Sequence, residues 1–533
     1  MLLMSANTAL AADWVYTVRP GDHLWNITER YTKSLDYWKP LLRLNKLERP
    51  REMPPGTRIR IPVRWLKLQP VPANVVTVSG EARRIRDPGG STVPLEAGME
   101  LELGDIIETS PNGSLTLEFA DGSQLLVRPD TRLSLDTIRA YEGTGMVDTR
   151  MGLERGKVES DVEPSVGPGT RFEIHTPTAI TSVRGTRLRV GTSDAGQATQ
   201  VEVVQGRVGV SGSGRSRALN EGFGTVVRSD EPPLPPRPLL PAPDLGSAPL
   251  LLDRLPLRLS WSAVEGADTF RVLIAEDADF QTLLVDVETA RGDLPGVELP
   301  DGTYVVRVRA VDELGLEGLS ALAEMVIDAR PEPPFPTNPT PEEVVRVKNP
   351  DFVWSVPQGA DGYLFQLARS ADFAAPLLSE DDLRSPSISV AEELPPGEYH
   401  WRVATRQSGE TGPFSDPQPF TVRPAPTSPE LEPPEVTDNR IVLRWRAANP
   451  GQQYEYQLAR DSEFRELVAS EVVTEPEAVL EEAATGYYFL RVRVIDVDGY
   501  VGSFGTSQQI YVPPNSYWPA VAPLSILLLL LLL

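Results

Sequence analysis

Apolar and polar positions change their period along this chain, and the changes divide it. In residues 13 to 66 a β-prone run, Tyr16-Thr17-Val18, is stopped by Pro20-Gly21-Asp22. Leu24, Ile27 and Tyr31 then fall at helical spacing on one face. Asp22 is expected to cap this helix, because its carboxylate can accept from the orphan amides of the first turn. A second helix is predicted over residues 35 to 45, with Trp38, Leu41, Leu42 and Leu44 as its buried stripe and Pro50, Pro54 and Pro55 barring its continuation. Residues 58 to 63 read as a closing strand, so the pattern predicts a small βααβ module.

From residue 75 to 228 the period becomes two. Leu115-Thr116-Leu117-Glu118-Phe119, then Asp121-Gly122, then Gln124-Leu125-Leu126-Val127 is a hairpin signature, with Asp-Gly suited to a primed turn. Further strands are predicted over residues 181 to 190 and 200 to 204, with Gly206 before a strand at 208 to 210. This segment reads as an all-β domain of many short strands. Residues 231 to 249 hold eight prolines in 19 positions. Such a run favours polyproline II, at about 3.1 Å per residue, and is predicted to keep its neighbours tens of ångströms apart.

Beyond it lies an internal repeat. Trp261, Trp354 and Trp445 recur at intervals of 93 and 91 residues, and each is followed 19 residues later by Phe280, Phe373 or Phe464. Tyr304, Tyr399 and Tyr488 recur inside Gly-Thr-Tyr-Val-Val-Arg-Val, Gly-Glu-Tyr-His-Trp-Arg-Val and Gly-Tyr-Tyr-Phe-Leu-Arg-Val. Three copies at this period predict three similar domains, each close to the size of a small β-sandwich with a buried tryptophan. The expected architecture is multidomain and mainly β. Its segments are residues 1–12, 13–66, 75–228, 229–250 (Pro-rich linker), 251–330, 331–424, 425–513 and 514–533.

Composition narrows the class. The chain has 533 residues, 52 of them Pro and 41 Gly, and no cysteine. Disulfides, thiolate nucleophiles and cysteine-based metal sites are therefore excluded. Net charge is −24, yet residues 13 to 66 hold 11 basic and 6 acidic side chains, a balance of +5 against −29 for the remainder. An acidic body argues against nucleic acid as a partner, since phosphate neutralisation needs a basic surface. The basic module would favour a wall that carries free carboxylates, although a solvated face explains these charges equally well.

The ends bear on location. Ala9-Leu10-Ala11-Ala12 has the small-residue pattern of a signal-peptidase site, without the basic start and long apolar run that normally precede it. The expectation is a partial signal peptide over residues 1–12. Residues 520 to 533 are apolar and end in leucines, but Pro519 and Pro523 leave the run short of the roughly 20 residues a membrane span needs. Tyr517 and Trp518 would suit an interfacial belt, so this tail is read as a C-terminal membrane contact.

Two stretches resemble known families. Tyr16-Thr17-Val18-Arg19-Pro20-Gly21-Asp22-His23-Leu24-Trp25-Asn26-Ile27, Leu41-Leu42-Arg43-Leu44-Asn45 and Pro55-Gly56-Thr57-Arg58-Ile59-Arg60-Ile61-Pro62 together resemble a LysM module. The resemblance implies binding of peptidoglycan or a related N-acetylglucosamine polymer in a shallow groove between two loops. Carried onto this chain, the groove is Gly21, Asp22, His23, Leu24 and Trp25 on one side and Asn45, Lys46 and Leu47 on the other. Leu24 and Trp25 read as core residues equally well, and Asp22 as a cap.

Val78-Ser79-Gly80-Glu81-Ala82, Leu103-Gly104-Asp105-Ile106-Ile107, Gly113-Ser114, Phe119-Ala120-Asp121-Gly122-Ser123, Val183-Arg184-Gly185-Thr186-Arg187-Leu188-Arg189-Val190 and Val203-Val204-Gln205-Gly206-Arg207-Val208 resemble the FecR-type domain of bacterial envelope proteins. Relatives that regulate iron uptake carry an anti-sigma segment and a transmembrane helix before this domain, and here a LysM-like module takes that place. The resemblance implies a periplasmic β domain with an envelope protein partner, or a plain spacer. Arg184 and Arg187 would form an anion site or brace the turn between them. The repeats resemble fibronectin type III domains, with their aromatics as core.

Chemistry is not expected. His23, His175 and His400 lie in three different predicted domains, so neighbouring histidines cannot build a zinc site. No serine elbow is present, and no segment resembles the helical domain of lytic glycosidases, which would need a paired carboxylate cleft. The sequence is read as a non-enzymatic envelope protein with no cofactor and no metal. The second reading is a periplasmic regulator of a membrane receptor or cyclase.

Overall fold

The N-terminal module is built on two paired strands. In the computed structural model, which describes residues 12–86, 92–193, 196–246, 250–290, 297–437 and 440–514, β1 (Asp13–Thr17) runs antiparallel to β2 (Arg58–Pro62), with Tyr16 opposite Ile59. The signal-peptide expectation, up to its last residue, and the tail beyond residue 514 lie outside the described residues. Between the strands stand α1 (Leu24–Tyr31), a 3-10 turn (Leu35–Tyr37) and α2 (Trp38–Leu44). The second helix is thus shorter than predicted. Of its expected stripe only Leu41 is fully buried; Leu42 packs partly buried against the core, Trp38 stands beside Trp25 and Leu44 is exposed, since a helix of seven residues turns only one face to the module.

Asp22 does not cap α1. His23 is the N-cap: its Nδ1 accepts from the Asn26 N–H at 3.1 Å, and Asn26 Oδ1 accepts from the His23 N–H at 2.9 Å. This is a reciprocal box made from a histidine and an asparagine. The module's core of Tyr16, Leu24, Ile27, Tyr31, Leu41, Ile59 and Ile61 is completed by Tyr141 and Met146 from the following domain. Leu68–Pro70, directly after the module, pairs with the strand Arg132–Tyr141, so the module is joined to that domain by a shared core and by the chain that leaves it.

The next domain holds two sheets that share one strand, Val147–Asp161. Its first half pairs with Arg132–Tyr141 and, in parallel, with Arg171–His175. Its second half pairs with Gln124–Val127 and Arg187–Thr192 in the other sheet. The change of sheet falls at Gly156, whose φ is +89° and whose missing Cβ would lie 2.5 Å from the Thr131 Cα. Leu117, Leu125, Leu133, Leu135, Val158, Val190, Val201 and Val208 fill the space between the sheets.

Two elements of this domain differ from the sequence expectation. The hairpin pairs Glu118 with Gln124 in the expected place, but Phe119 and Ser123 also bond, leaving a three-residue turn with Gly122 at φ +86° rather than a two-residue primed turn. The single strand predicted over 181 to 190 is two strands, Ile180–Val183 and Arg187–Thr192, in different sheets. Gly185, at φ +62°, makes the corner between them.

The Pro-rich segment is not an open spacer. Its Leu234 N–H donates to Val226 O, its Leu239 N–H to Gly222 O, and Leu239 is packed between Val226 and Leu316. The prolines lack donors, yet enough carbonyls and amides remain between them to tie the segment down. The first repeat therefore sits directly against the FecR-like domain instead of tens of ångströms away.

The described residues up to Arg330, the first repeat among them, form one compact unit, and those from Pro331 onward, which hold the other two repeats, form a second. In the first repeat one sheet runs in the order Leu250–Leu252, Glu317–Ile327, Gly302–Val311, Thr269–Ala275, Leu283–Thr289. The second repeat is a complete sandwich, with Asp351–Trp354 at the centre of a three-stranded sheet facing the sheet around Gly397–Gln407. The third faces three strands around Arg440–Arg444 against four around Gln453–Ala459 and Gly486–Ile495.

The repeated residues explain themselves in the core. Tyr304, Tyr399 and Tyr488 each donate a hydroxyl hydrogen bond to the carbonyl four residues earlier, at 2.9, 2.6 and 2.9 Å. This is the corner that locks a sandwich end. Trp354 and Trp445 are buried, whereas Trp261 is half-buried against Phe270. Phe280, Phe373 and Phe464 all take a left-handed backbone, and each lies beneath an arginine of the tyrosine strand, Arg307, Arg402 or Arg491, at 3.6, 4.1 and 4.0 Å.

Candidate functional site

The two loops expected to form the groove do meet. The Leu24 N–H donates to the Pro50 carbonyl at 2.9 Å, joining the entry to α1 with the chain that leaves α2. That second loop is set by the end of α2. Lys46 takes φ +51°, its N–H bonds Arg43 O, and the Leu47 N–H bonds Leu42 O, which is a Schellman closure with a lysine in the left-handed position.

The eight expected residues separate into those with free surface and those already engaged. Gly21 is exposed at φ +88°, with open space where a Cβ would stand. Lys46 is exposed, and Trp25 keeps 49% of its surface, its ring 6.4 Å from that of Trp38. His23 and Leu47 are half-buried.

Leu24, by contrast, is 0% exposed and belongs to the core, so it is removed from the groove. Asp22 accepts from the Tyr16 hydroxyl at 2.5 Å and the Arg19 N–H at 2.7 Å. Burial pushes its carboxyl up, but these bonds and the nearby arginines prevail and hold it below the usual carboxylate range. Burial and the same carboxylate push the Tyr16 hydroxyl up to about 12. Asn45 is likewise spent: its Nδ2 donates to Leu41 O and Arg60 O, and its Oδ1 accepts from the Arg60 N–H at 2.7 Å. Asp22 and Asn45 thus brace the two loops, while Gly21, Trp25 and Lys46 present surface. The sequence reading placed Trp38 in the core; its half-exposed ring beside Trp25 is the residue that reading missed.

A second constellation lies where the FecR-like domain meets the first sandwich. Glu317 of the sandwich accepts from Arg128 at 2.8 Å, Lys157 at 2.9 Å and Arg309 at 2.7 Å. Arg128 also grips Asp286 with two bonds of 2.7 Å, and Arg309 binds Glu159 at 2.7 and 2.9 Å. Arg189, from the Val-Arg-Gly-Thr-Arg-Leu-Arg-Val run, pairs with Glu202 at 2.8 Å and donates to the Glu317 carbonyl at 2.7 Å. Burial opposes ionisation of Glu159 and Glu317, yet the surrounding cations hold both well below the usual carboxylate range. Arg307 pays for its place: burial lowers its guanidinium to about 10, against the pull of Glu159. One signal for this interface stood in the repeats. Where the second and third copies carry Gln366 and Gln457 on the outer face, the first carries Leu273, which packs beside Leu126. Of the two arginines flanking Gly185, Arg187 braces the fold through Asp161 at 2.8 Å, and Arg184 is exposed.

Residues 16–62 match the LysM domain family and residues 105–209 the FecR protein family. Among curated proteins no relative matches. Solved structures that align include a proposed anti-sigma factor from Parabacteroides distasonis, at 18% identity over 25% of this chain and 59% of that one, with a TM-score of 0.21. Others are the FN1–FN3 domains of chicken CNTN1, at 16% identity over 51% of this chain and 99% of that one (TM-score 0.24), and fibronectin(III)-like modules of CbhA from Clostridium thermocellum, at 14% over 34% and 94% (TM-score 0.23). Likeness at this level adds nothing to the topology described above. LysM, FecR and fibronectin modules are non-catalytic kinds of domain. Among the described residues no helix is long and apolar enough to cross a membrane. The chain therefore carries a LysM domain at residues 16–62 and a FecR-type domain matched over residues 105–209, followed by the three tyrosine-cornered β repeats described above.

Proposed function

We propose that this chain is a non-enzymatic cell-envelope protein that holds peptidoglycan, or a related N-acetylglucosamine glycan, in the groove between the Gly21–Trp25 loop and the Lys46–Leu47 loop. The observation that carries the reading is the joining of these loops through Leu24 and Pro50, with Gly21, Trp25 and Lys46 left exposed around the junction. Gly21 lets a sugar approach the backbone closely, and a half-exposed indole gives an apolar face to the acetamide methyl. LysM domains generally bind such glycans, which gives the geometry its ligand class. The FecR-type domain, which shares its core with the LysM domain, then lies beside the wall and presents a surface to an envelope protein partner. The membrane tail and the exported location belong to the same proposal.

The test is sedimentation of the full chain with purified peptidoglycan. Binding that soluble chitin oligomers compete away is the expected result. Failure to sediment, or sedimentation untouched by chitin oligomers, overturns the reading.

A further inference from the structure

At the other ends of β1 and β2, away from the sugar loops, the LysM domain and the FecR-type domain enclose an open cleft of about 800 Å³. It is cationic in a chain of net charge −24. Phe172 pairs with Val183, and Val183 with Val208, so one step further along each strand Arg171, Arg184 and Arg207 stand in a row across three neighbouring strands. Neighbouring strands lie about 4.8 Å apart. All three side chains are exposed on the outer face of the sheet, and Arg64 of the LysM domain lines the same cleft.

Like charges placed opposite one another on a sheet destabilise it, and here the row is barely compensated. The carboxylate lining the cleft, Glu173, stands 3.6 Å from Arg171 and is shared with Arg150 and His175. Among the described residues, Arg64, Arg184 and Arg207 have no ion pair. Beside the arginine row runs a second row in which Ser182 pairs with Gly209 and Gly209 with Ala218. These small residues leave the floor of the cleft low, with room for a chain to lie under the guanidinium groups.

We propose that this cleft binds the free carboxylates of wall peptides attached to the glycan that the LysM domain holds; the assignment rests on the glycan reading above. Two features favour a wall polymer over an acidic protein. The apolar side chains beneath the rows, Phe172, Val183 and Val208, are buried inward, so the strand surface that carries the arginines offers charge and small residues and not the large apolar anchors that fix most protein partners. The five residues of β1 also span only about 17 Å between the cleft and the sugar loops, close enough for one strand of wall to reach both.

The experiment compares the full chain with an Arg184→Gln/Arg207→Gln variant in titration with soluble poly-glutamate and on three solids: purified peptidoglycan, the same wall with its carboxylates amidated, and chitin. Both substitutions are at exposed positions, and an unchanged melting temperature confirms the fold. The expected result is roughly three- to tenfold weaker binding of the variant to native wall, with wild-type binding to native wall falling as salt rises. Amidated wall and chitin should bind variant and wild type alike. Equal binding of both proteins to native wall overturns the proposal while leaving the glycan reading intact. Loss of poly-glutamate binding in the variant without loss of wall binding assigns the cleft to an acidic protein segment and also overturns it. Failure of the wild type on all three solids overturns the glycan reading, and this one with it.

Discussion

Glu317 concentrates the energetics of the first unit in one side chain. Three cations converge on it in a site closed to solvent, so removing it leaves charges that water cannot reach. Breaking such a pair is far costlier than its formation is favourable. Glu317→Ala is expected to destabilise the unit by about 3–5 kcal/mol in denaturant unfolding of the full chain. The same cluster sets an acid limit. The folded-state carboxyls of Glu159 and Glu317 are depressed below their unfolded value of about 4.3. Their stabilisation is therefore fully present above that value and is lost as pH falls through the lower, folded one. Melting of this unit should be nearly flat from neutral pH to about 5 and fall below about 4. Glu317→Gln should show a shallower acid limb, and an identical slope in both proteins would remove Glu317 from the account. At this scale the sequence was a partial guide. It marked the Leu24, Ile27 and Tyr31 face of the first helix, but it expected Trp38, Leu42 and Leu44 to be buried with Leu41, assigned Asp22 to a cap that His23 makes, and left Leu24 open between core and groove. Capping by an imidazole and an asparagine carries no composition signal, because either residue serves as well in a loop.

Elements were more legible than residues wherever a pattern repeated. Three tryptophan, phenylalanine and tyrosine sets at one spacing were enough to place three sandwiches, and the tyrosine corners account for one of those spacings in physical terms. Trp354 lies against Tyr363, Phe365 and Trp401 at 5.4 to 6.4 Å. Trp354→Ala should cost its sandwich about 3–5 kcal/mol by leaving a cavity, with the third sandwich, which has its own core, still melting at its wild-type temperature in calorimetry. A joint loss would mean one shared core. The Pro-rich segment was misread because proline content speaks to backbone stiffness and not to whether the remaining amides find partners. Limited proteolysis should consequently spare residues 231 to 246 and leave a resistant fragment that reaches Arg330. Release of a fragment ending near residue 228 would restore the open spacer.

Across the whole molecule, the period of apolar positions revealed what kinds of domain are present, and not which of them fuse. Fusion depends on side chains far apart in sequence, such as Arg128 with Asp286 and Tyr141 with the LysM core, and no local pattern marks them. The consequence for function is that the LysM domain is not a tethered module. Tyr141 and Met146 complete its core, so on the proposed reading glycan in its groove is held by the entire first unit, from the LysM domain through the FecR-type domain to the first sandwich. The most direct measurement of the glycan-binding claim is calorimetric titration of the full chain with a soluble chitin oligomer, alongside Gly21→Val and Trp25→Ala variants of unchanged melting temperature. Saturable binding by the wild type is expected, with at least about tenfold weaker binding by Gly21→Val, a loss of about 1.4 kcal/mol, and Trp25→Ala weakened in the same direction. No binding by the wild type, or equal affinity in all three proteins, would contradict it.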